Sequence, residues 1–156
     1  MDEKKKVYVE TSVISNLTAR PSHDIFDLAR QMATRQWWEI AAATYRLYTS
    51  PLVGREAQRG DSDAASRRMA ILRDIENLPI PAEAETLAGK LLDAAAVPHT
   101  SYEDAVHIAT AAVNGMDYLV TWNCRHIANA VTMPKIYETC QMAGYKCPVI
   151  CTPEQL

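Results

Sequence analysis

Short runs of β-branched and aromatic residues alternate along this chain with longer segments in which apolar residues recur every three or four positions. The short runs have the composition and length of buried strands, whereas the longer segments have the periodicity of helices with one apolar face. We predict strands at residues 7–10, 47–53, 77–81, 116–121 and 148–151, and within 47–53 either Ser50 or Pro51 ends the strand and opens the next helix. Strands that alternate with helices in this way indicate an α/β fold, with a largely parallel sheet of about five strands flanked by helices.

Most of the helical segments begin at a serine, threonine, aspartate or proline, and several end near a glycine or proline, as helices commonly do. Predicted helices cover residues 11–18, 25–46, 51–59, 62–72, 82–96, 101–114, 124–130 and 134–143, and a capped turn is predicted at 152–154. The long helix carries Trp37 and Trp38. A tryptophan pair in such a helix is more often part of the core or of an interface than a platform for nucleic-acid bases.

The composition is that of one globular domain. The chain has 156 residues, of which 48% are hydrophobic and 22% charged, enough apolar material for a full core. We therefore predict a single domain over residues 1–156, with residues 1–6 as a flexible flank. No apolar run approaches the roughly 20 residues of a membrane span, and the N-terminus does not resemble a signal peptide, so a cytoplasmic location is expected.

Charge and cysteine content narrow the chemistry further. The net charge is −3, so nucleic-acid binding would need a local basic patch. The best candidate is the pair of helices after the second strand, with Arg55, Arg59, Arg67 and Arg68, although surface arginines are usually only solvated. The four cysteines form no C-x-x-C pair, so we expect reduced, mostly buried thiols and no zinc or redox motif.

Four oxygen-bearing side chains lie at predicted strand ends or near the starts of helices. Glu10 follows the first strand, Glu56 and Asp104 lie on later helices, and Asn123 follows the fourth strand. In a doubly wound sheet such positions converge at one edge. Clustered carboxylates repel one another unless a hard cation neutralises them, and oxygen ligands favour Mg²⁺ or Mn²⁺, which assist phosphodiester hydrolysis. The alternative is that these acids merely cap helices or offset helix dipoles.

At these residues the sequence resembles a known family, the PIN domain, and more closely the VapC-type toxins of type II toxin–antitoxin systems. The resemblance spans nearly the whole chain and rests on four motifs in the right order: residues 7–15, residues 49–56 with Gly60-Asp61, residues 104–109 and residues 118–123. It implies a PIN fold, a Mg²⁺- or Mn²⁺-dependent endoribonuclease that hydrolyses RNA, a homodimer, and a cognate antitoxin as partner, with no attachment to a membrane.

Carried over residue by residue, the resemblance implies a catalytic set of Glu10, Glu56, Asp104 and Asn123, of which the three acids bind the metal, with Ser12 and Thr121 in support. This chain departs from the family pattern at two of these positions. Glu10 stands where an aspartate is usual and is one methylene longer, and Asn123 stands where a fourth aspartate is usual and carries no charge.

Other readings of the same residues remain open. A non-catalytic PIN-like module that binds RNA or an antitoxin would also accommodate Glu10 and Asn123. Phosphotransfer on a doubly wound sheet is less favoured, because it usually needs a nucleophilic aspartate at a strand end. His107 lies in an apolar helix, where a histidine is more often hydrogen-bonded core than a catalytic base, and His126 is expected to be ordinary surface.

Overall fold

A parallel sheet lies at the centre of the computed structural model, which describes residues 2–156. Its strands are β1 (Lys6–Val9), β2 (Arg46–Thr49), β3 (Glu76–Asn77), β4 (Tyr118–Val120) and β5 (Val149–Cys151). They are ordered β3-β2-β1-β4-β5, and each neighbouring pair is parallel. The predicted α/β class with a parallel sheet of five strands is confirmed.

Helices connect the strands and cover the sheet. They are α1 (Thr11–Thr18), α2 (Ile25–Thr44), α3 (Pro51–Ala57), α4 (Ser62–Leu72), α5 (Ala82–Asp93), α6 (Tyr102–Val113) and α7 (Met133–Met142), followed by a 3₁₀ turn at Pro153–Gln155. Within residues 2–156, no helix combines the length and apolarity that crossing a bilayer requires.

The order of the strands places a switch point at the centre of the sheet. The chain builds β2 and β3 on one side of β1 and then returns to build β4 and β5 on the other side. Val7, Tyr8 and Val9 are completely buried, as expected for a strand covered by helices on both faces. Ligand sites in such sheets lie at the carboxyl ends of the strands beside the switch point, which here are the ends of β1 and β4.

The predicted helix at 124–130 is wrong, because this segment folds as irregular turns. The backbone N–H groups of Ile127 and Ala128 both donate to the carbonyl oxygen of Asn123, at 3.1 and 2.9 Å. The N–H of His126 donates to the side-chain oxygen of Asn123 at 3.0 Å. In an α-helix the N–H of Ala128 would donate to the carbonyl oxygen of Cys124, so its bond to Asn123 ends the helical pattern after a single turn.

Several element boundaries differ from the predicted ones. The edge strand is confined to Glu76–Asn77, because the prolines at positions 79 and 81 have no N–H with which to extend the pairing. The second strand ends at Thr49, since Ser50 caps the following helix. The helices predicted at 25–46 and 82–96 end earlier, at residues 44 and 93.

The N-terminal flank is shorter than predicted. Lys6 belongs to β1, and its N–H donates to the Asp117 carboxylate at 2.9 Å. Met1 lies outside the described residues.

Trp37 belongs to the core. Its side chain is 3% exposed, and its ring meets that of Trp38 edge to face with centroids 6.0 Å apart. The cysteines are free thiols; residues 140 and 151 are buried, residue 147 is partly buried and residue 124 is exposed. The expectation of free thiols is met, and two of the four cysteines are buried.

Candidate metal centre

Glu10 lies at the carboxyl end of the central strand, where it also starts α1. Its backbone is extended, and its side chain accepts the N–H of Ser12 at 3.1 Å, so that it serves as the N-cap of the helix. Its own N–H donates to the carbonyl oxygen of Val120 at 3.1 Å, which continues the β1–β4 pairing by one residue. The side chain is consequently held at the sheet edge, with only 6% of the residue exposed.

Two hydroxyl groups clamp the Glu10 carboxylate between β1 and β4. Ser12 Oγ and Thr121 Oγ1 both donate to Oε1, the latter at 2.6 Å. Ser12 Oγ also accepts the N–H of Trp122 at 2.8 Å, which ties the start of α1 to the end of β4. Ser12 and Thr121, the two predicted supporting residues, therefore both contact the Glu10 carboxylate, and their supporting role in a metal centre stays a prediction.

Glu56 reaches the same edge from α3. That helix starts cleanly because Ser50 caps it and a proline occupies its first turn, where no intrahelical N–H is needed. Oε1 of Glu56 accepts hydrogen bonds from Thr11 Oγ1 and from His107 Nε2, both at 2.6 Å. Burial by itself would raise the pKa of Glu56, but the hydrogen bond and charge of His107, together with the Thr11 hydroxyl, outweigh it and lower the pKa to about 2.

His107 completes a compact cluster with the two glutamates. It lies on α6 and is fully buried, with Nδ1 2.7 Å from the Tyr8 hydroxyl. Burial disfavours the cation, yet the hydrogen bond to Glu56 and the nearby carboxylates, Glu10 among them, outweigh burial and raise the pKa of His107. One ligand atom from each of Glu10, Glu56 and His107 lies within 4.8 Å of the others. In the sequence, His107 is a histidine within an apolar helical stripe. Such a position is typical of a hydrogen-bonded core residue, so the pattern does not indicate a place beside the acids.

Asp104 lies beside this cluster rather than within it. Its Oδ1 accepts the side-chain N–H of Asn123 at 3.1 Å, and its Oδ2 pairs with His126 Nδ1 at 2.9 Å. The side chains of Asp104 and His126 are 20% and 28% exposed. His126, predicted to be ordinary surface, thus takes part in a polar cluster with Asp104 and Asn123, and the predicted roles of Asp104 and Asn123 in the metal centre stay predictions.

The predicted basic rim is largely engaged in contacts within the protein. Arg59 makes two hydrogen bonds with the Glu103 carboxylate, at 3.1 and 2.8 Å. The Nε atoms of Arg67 and Arg68 donate to main-chain carbonyl oxygens at 3.0 and 2.8 Å. Arg55 is exposed. Three of the four arginines thus hydrogen-bond to helix ends and loops around α3 and α4. The contact of all four with RNA stays a prediction.

The donor set of the main cluster suits a divalent ion. Glu10 and Glu56 offer carboxylate oxygens, the ligands that Mg²⁺ and Mn²⁺ prefer. Within residues 2–156 no N–H or hydroxyl group donates to Oε2 of Glu56, so that oxygen can bind a cation. The Glu103 carboxyl group is a further neighbour of Glu56 and helps to lower its pKa. Two adjacent carboxylates, one buried and one partly buried, repel each other unless a cation lies near them.

Two solved structures of known proteins share this fold. The structure is similar to that of VapC20 from Mycobacterium tuberculosis, described as a sarcin-ricin loop cleaving toxin (TM-score 0.57, 20% identity, 89% of this chain and 95% of that chain). It is also similar to VapBC2 from Rickettsia felis, bound to a DNA fragment from its promoter (TM-score 0.62, 13% identity, 94% and 98% of the two chains). These likenesses establish the fold.

The sequence identifies the family. The PIN domain family matches residues 7–129, a stretch that includes the cluster of Glu10, Glu56 and His107 and also Asp104, and the chain belongs to this family. Among curated proteins, none gives a significant match.

Proposed function

We propose that this protein is a metal-dependent endoribonuclease and the toxin of a type II toxin–antitoxin pair. The observation that carries the proposal is the convergence of Glu10 and Glu56, with His107, at the carboxyl edge of a PIN domain. The two similar structures support it, since one is described as a toxin that cleaves the sarcin-ricin loop and the other as a VapBC2 assembly on promoter DNA. Hydrolysis of an RNA phosphodiester follows as the reaction.

In this proposal Glu10 and Glu56 hold the Mg²⁺ or Mn²⁺ ion, and Asp104 joins them. A bound ion supplies Lewis acidity and lowers the pKa of a water molecule. The chain's own contribution is positioning. The clamp on Glu10 by Ser12 and Thr121 fixes the longer side chain in one place, which offsets the freedom that the extra methylene would otherwise give.

The partners follow from the same reasoning. RNA is the substrate, a cognate antitoxin is the inhibitor, and the protein works as a homodimer in the cytoplasm. Asn123 has the place of a fourth acid and contributes a hydrogen bond to Asp104 in place of a charge. The single-domain organisation over residues 1–156 belongs to this proposal as well.

The test is cleavage of a panel of structured RNAs by the purified protein with Mn²⁺, with Mg²⁺ and with EDTA. Glu56→Gln should abolish cleavage, because it replaces a charged ligand by an amide of the same shape. His99→Gln, at an exposed histidine, is the matched control and should cut like the wild type. Cleavage that persists in EDTA would contradict the proposal.

A second candidate function is a non-catalytic module that binds RNA or an antitoxin. Both carboxylate oxygens of Asp104 are engaged by neighbouring side chains, and Asn123 is neutral, which together favour this alternative. It predicts RNA binding that is insensitive to EDTA and no cleavage with either metal. The same panel of RNAs, read by a gel shift as well as by cleavage, distinguishes the two functions.

A further inference from the structure

A row of hydrogen bonds runs from the start of α3 through the core to the metal centre. Ser50 Oγ lies 2.8 Å from the Tyr8 hydroxyl, which lies 2.7 Å from His107 Nδ1. The other ring nitrogen of His107, Nε2, is 2.6 Å from Oε1 of Glu56. Ser50, Tyr8 and His107 are at most 1% exposed, so no member of the row before Glu56 depends on solvent.

The end of this row fixes the direction of its last bond. An ionised carboxylate only accepts hydrogen bonds, so Nε2 of His107 carries the proton and donates it to Glu56. With the ring neutral, Nδ1 is an acceptor, the Tyr8 hydroxyl donates to it, and Ser50 Oγ donates to Tyr8 and accepts the N–H of Val53 at 3.4 Å. With the ring protonated, Nδ1 donates to the Tyr8 oxygen, Tyr8 donates to Ser50, and Nε2 still donates to Glu56. Every polar atom in the row has a partner of the correct kind.

This arrangement separates the roles of the two oxygens of Glu56. Oε1 is held by two donors, His107 and Thr11, and Oε2 receives no N–H or hydroxyl donor among the described residues. A nitrogen that donates its proton to a carboxylate is not available as a metal ligand. His107 therefore hydrogen-bonds to Glu56 on the side of the carboxylate that faces the core.

We propose that His107 is a positioning residue of the metal centre: its Nε2–H, oriented by Tyr8, fixes Glu56 so that Oε2 is presented to the ion. This inference rests on the proposed function, since it assigns a role within the same site. Hydrogen-bonding partners behind a metal ligand typically change metal affinity or activity by about 10- to 100-fold when they are removed.

The test uses two substitutions of His107. One keeps a donor to Glu56, and the other keeps only the contact with Tyr8. The amide of His107→Gln extends to about the place of Nε2 and can still donate to Glu56. The amide of His107→Asn is close to the place of Nδ1, so it can contact Tyr8 but not Glu56. Binding of Mn²⁺ to the full-length protein, measured by calorimetry without RNA, is the readout, and His99→Gln is the control.

We expect His107→Gln to bind Mn²⁺ within about threefold of the wild type and His107→Asn to bind it at least about tenfold more weakly. Melting temperatures recorded in EDTA show whether a loss of binding is a loss of folding. Equal affinities for the two variants, whether high or low, would overturn the positioning role. If His107→Asn does not fold, Tyr8→Phe replaces it; weaker Mn²⁺ binding supports the role and wild-type affinity overturns it.

The outcome for the wild type separates this inference from the proposed function. A wild-type protein that binds no Mn²⁺ overturns the metal centre and the positioning role together. If the wild-type protein binds Mn²⁺ and the two His107 variants bind it with equal affinity, only the role of His107 is overturned.

Discussion

Two histidine–carboxylate pairs lie side by side at the carboxyl edge of the sheet, and they differ in what surrounds them. In the His107–Glu56 pair the histidine is completely buried, and the two atoms in contact are 2.6 Å apart. In the His126–Asp104 pair both side chains are partly exposed, and the contact is 2.9 Å. The first pair is fixed by the core around it, whereas the second is held by polar neighbours that water can replace.

The difference also concerns which oxygens remain free. Glu56 has both donors on one oxygen, while Asp104 has one donor on each, from Asn123 and His126. Glu56 is thus ready to bind an ion as it stands. Asp104 must first release at least one hydrogen bond, which costs little at a partly exposed position.

The largest expected effect comes from removing the acid of the buried pair. Glu56→Ala leaves His107 without its carboxylate in the core, and breaking a buried pair in this way costs about 3–5 kcal/mol of unfolding free energy. Asp104→Ala should cost less than about 1 kcal/mol, because its partner is partly exposed. Urea unfolding in EDTA measures both, and equal losses would contradict the contrast between the pairs.

The next effect concerns catalysis at the exposed pair. Asp104→Asn keeps the shape of the side chain but removes its charge, so RNA cleavage should fall by about 100-fold or more if the carboxylate binds the ion, since even a partner behind a metal ligand is typically worth about 10- to 100-fold. Folding should be intact, as checked by circular dichroism. Unchanged cleavage with saturating Mn²⁺ would remove Asp104 from the catalytic set.

A smaller effect is expected from restoring the fourth acid. Asn123→Asp replaces the N–H that donates to Asp104 by a second carboxylate, so the metal-free protein should lose about 1 kcal/mol of unfolding free energy. Bound Mn²⁺ should neutralise the new charge and recover the loss through linkage. The measurement is the rise in melting temperature on adding Mn²⁺, which should exceed that of the wild type; an equal rise would show that position 123 is too far from the ion.

The last effect is the pH dependence of the His107–Glu56 pair in metal-free protein, which measures the same pair without removing it. The pKa of Glu56 is lowered from 4.5 to about 2, so its contribution to stability is present above pH 4.5 and is lost as the pH falls toward 2. The pKa of His107 is raised from 6.5, so its contribution is present below pH 6.5 and is lost as the pH rises through the folded-state value. Both contributions coincide between pH 4.5 and 6.5.

Urea unfolding of the wild type and of Glu56→Gln across this range provides the measurement. Their difference in unfolding free energy should be greatest between pH 4.5 and 6.5 and should shrink on either side. A difference that stays constant from pH 3 to pH 9 would show that the pair does not titrate on folding.

The sequence predicted those parts of the site that depend on local pattern. A buried run followed by Glu10 indicated a strand that delivers an acid to the sheet edge, and Ser50 with Pro51 indicated where α3 starts. Both hold, because strand burial and helix capping are decided within a few residues.

The parts that were missed depend on contacts between distant segments. The helix predicted at 124–130 is wrong because the N–H of Ala128 donates to the carbonyl oxygen of Asn123 and not to that of Cys124, as an α-helix requires. The pairing of His126 with Asp104 depends on how that loop lies against α6, and the pairing of His107 with Glu56 depends on how α3 and α6 meet. No local pattern contains this information.

The clamp on Glu10 has a consequence for the time at which the protein becomes active during its synthesis. Thr121, which donates to Glu10, lies 111 residues further along the chain, and the strand before it pairs directly with β1. A nascent chain that has emerged only as far as residue 116 therefore contains Glu10 and Glu56. It lacks β4, which pairs with β1, and Thr121, which donates to Glu10. Glu10 and Glu56 are synthesised early, but their site can form only after the ribosome has synthesised the chain through Thr121.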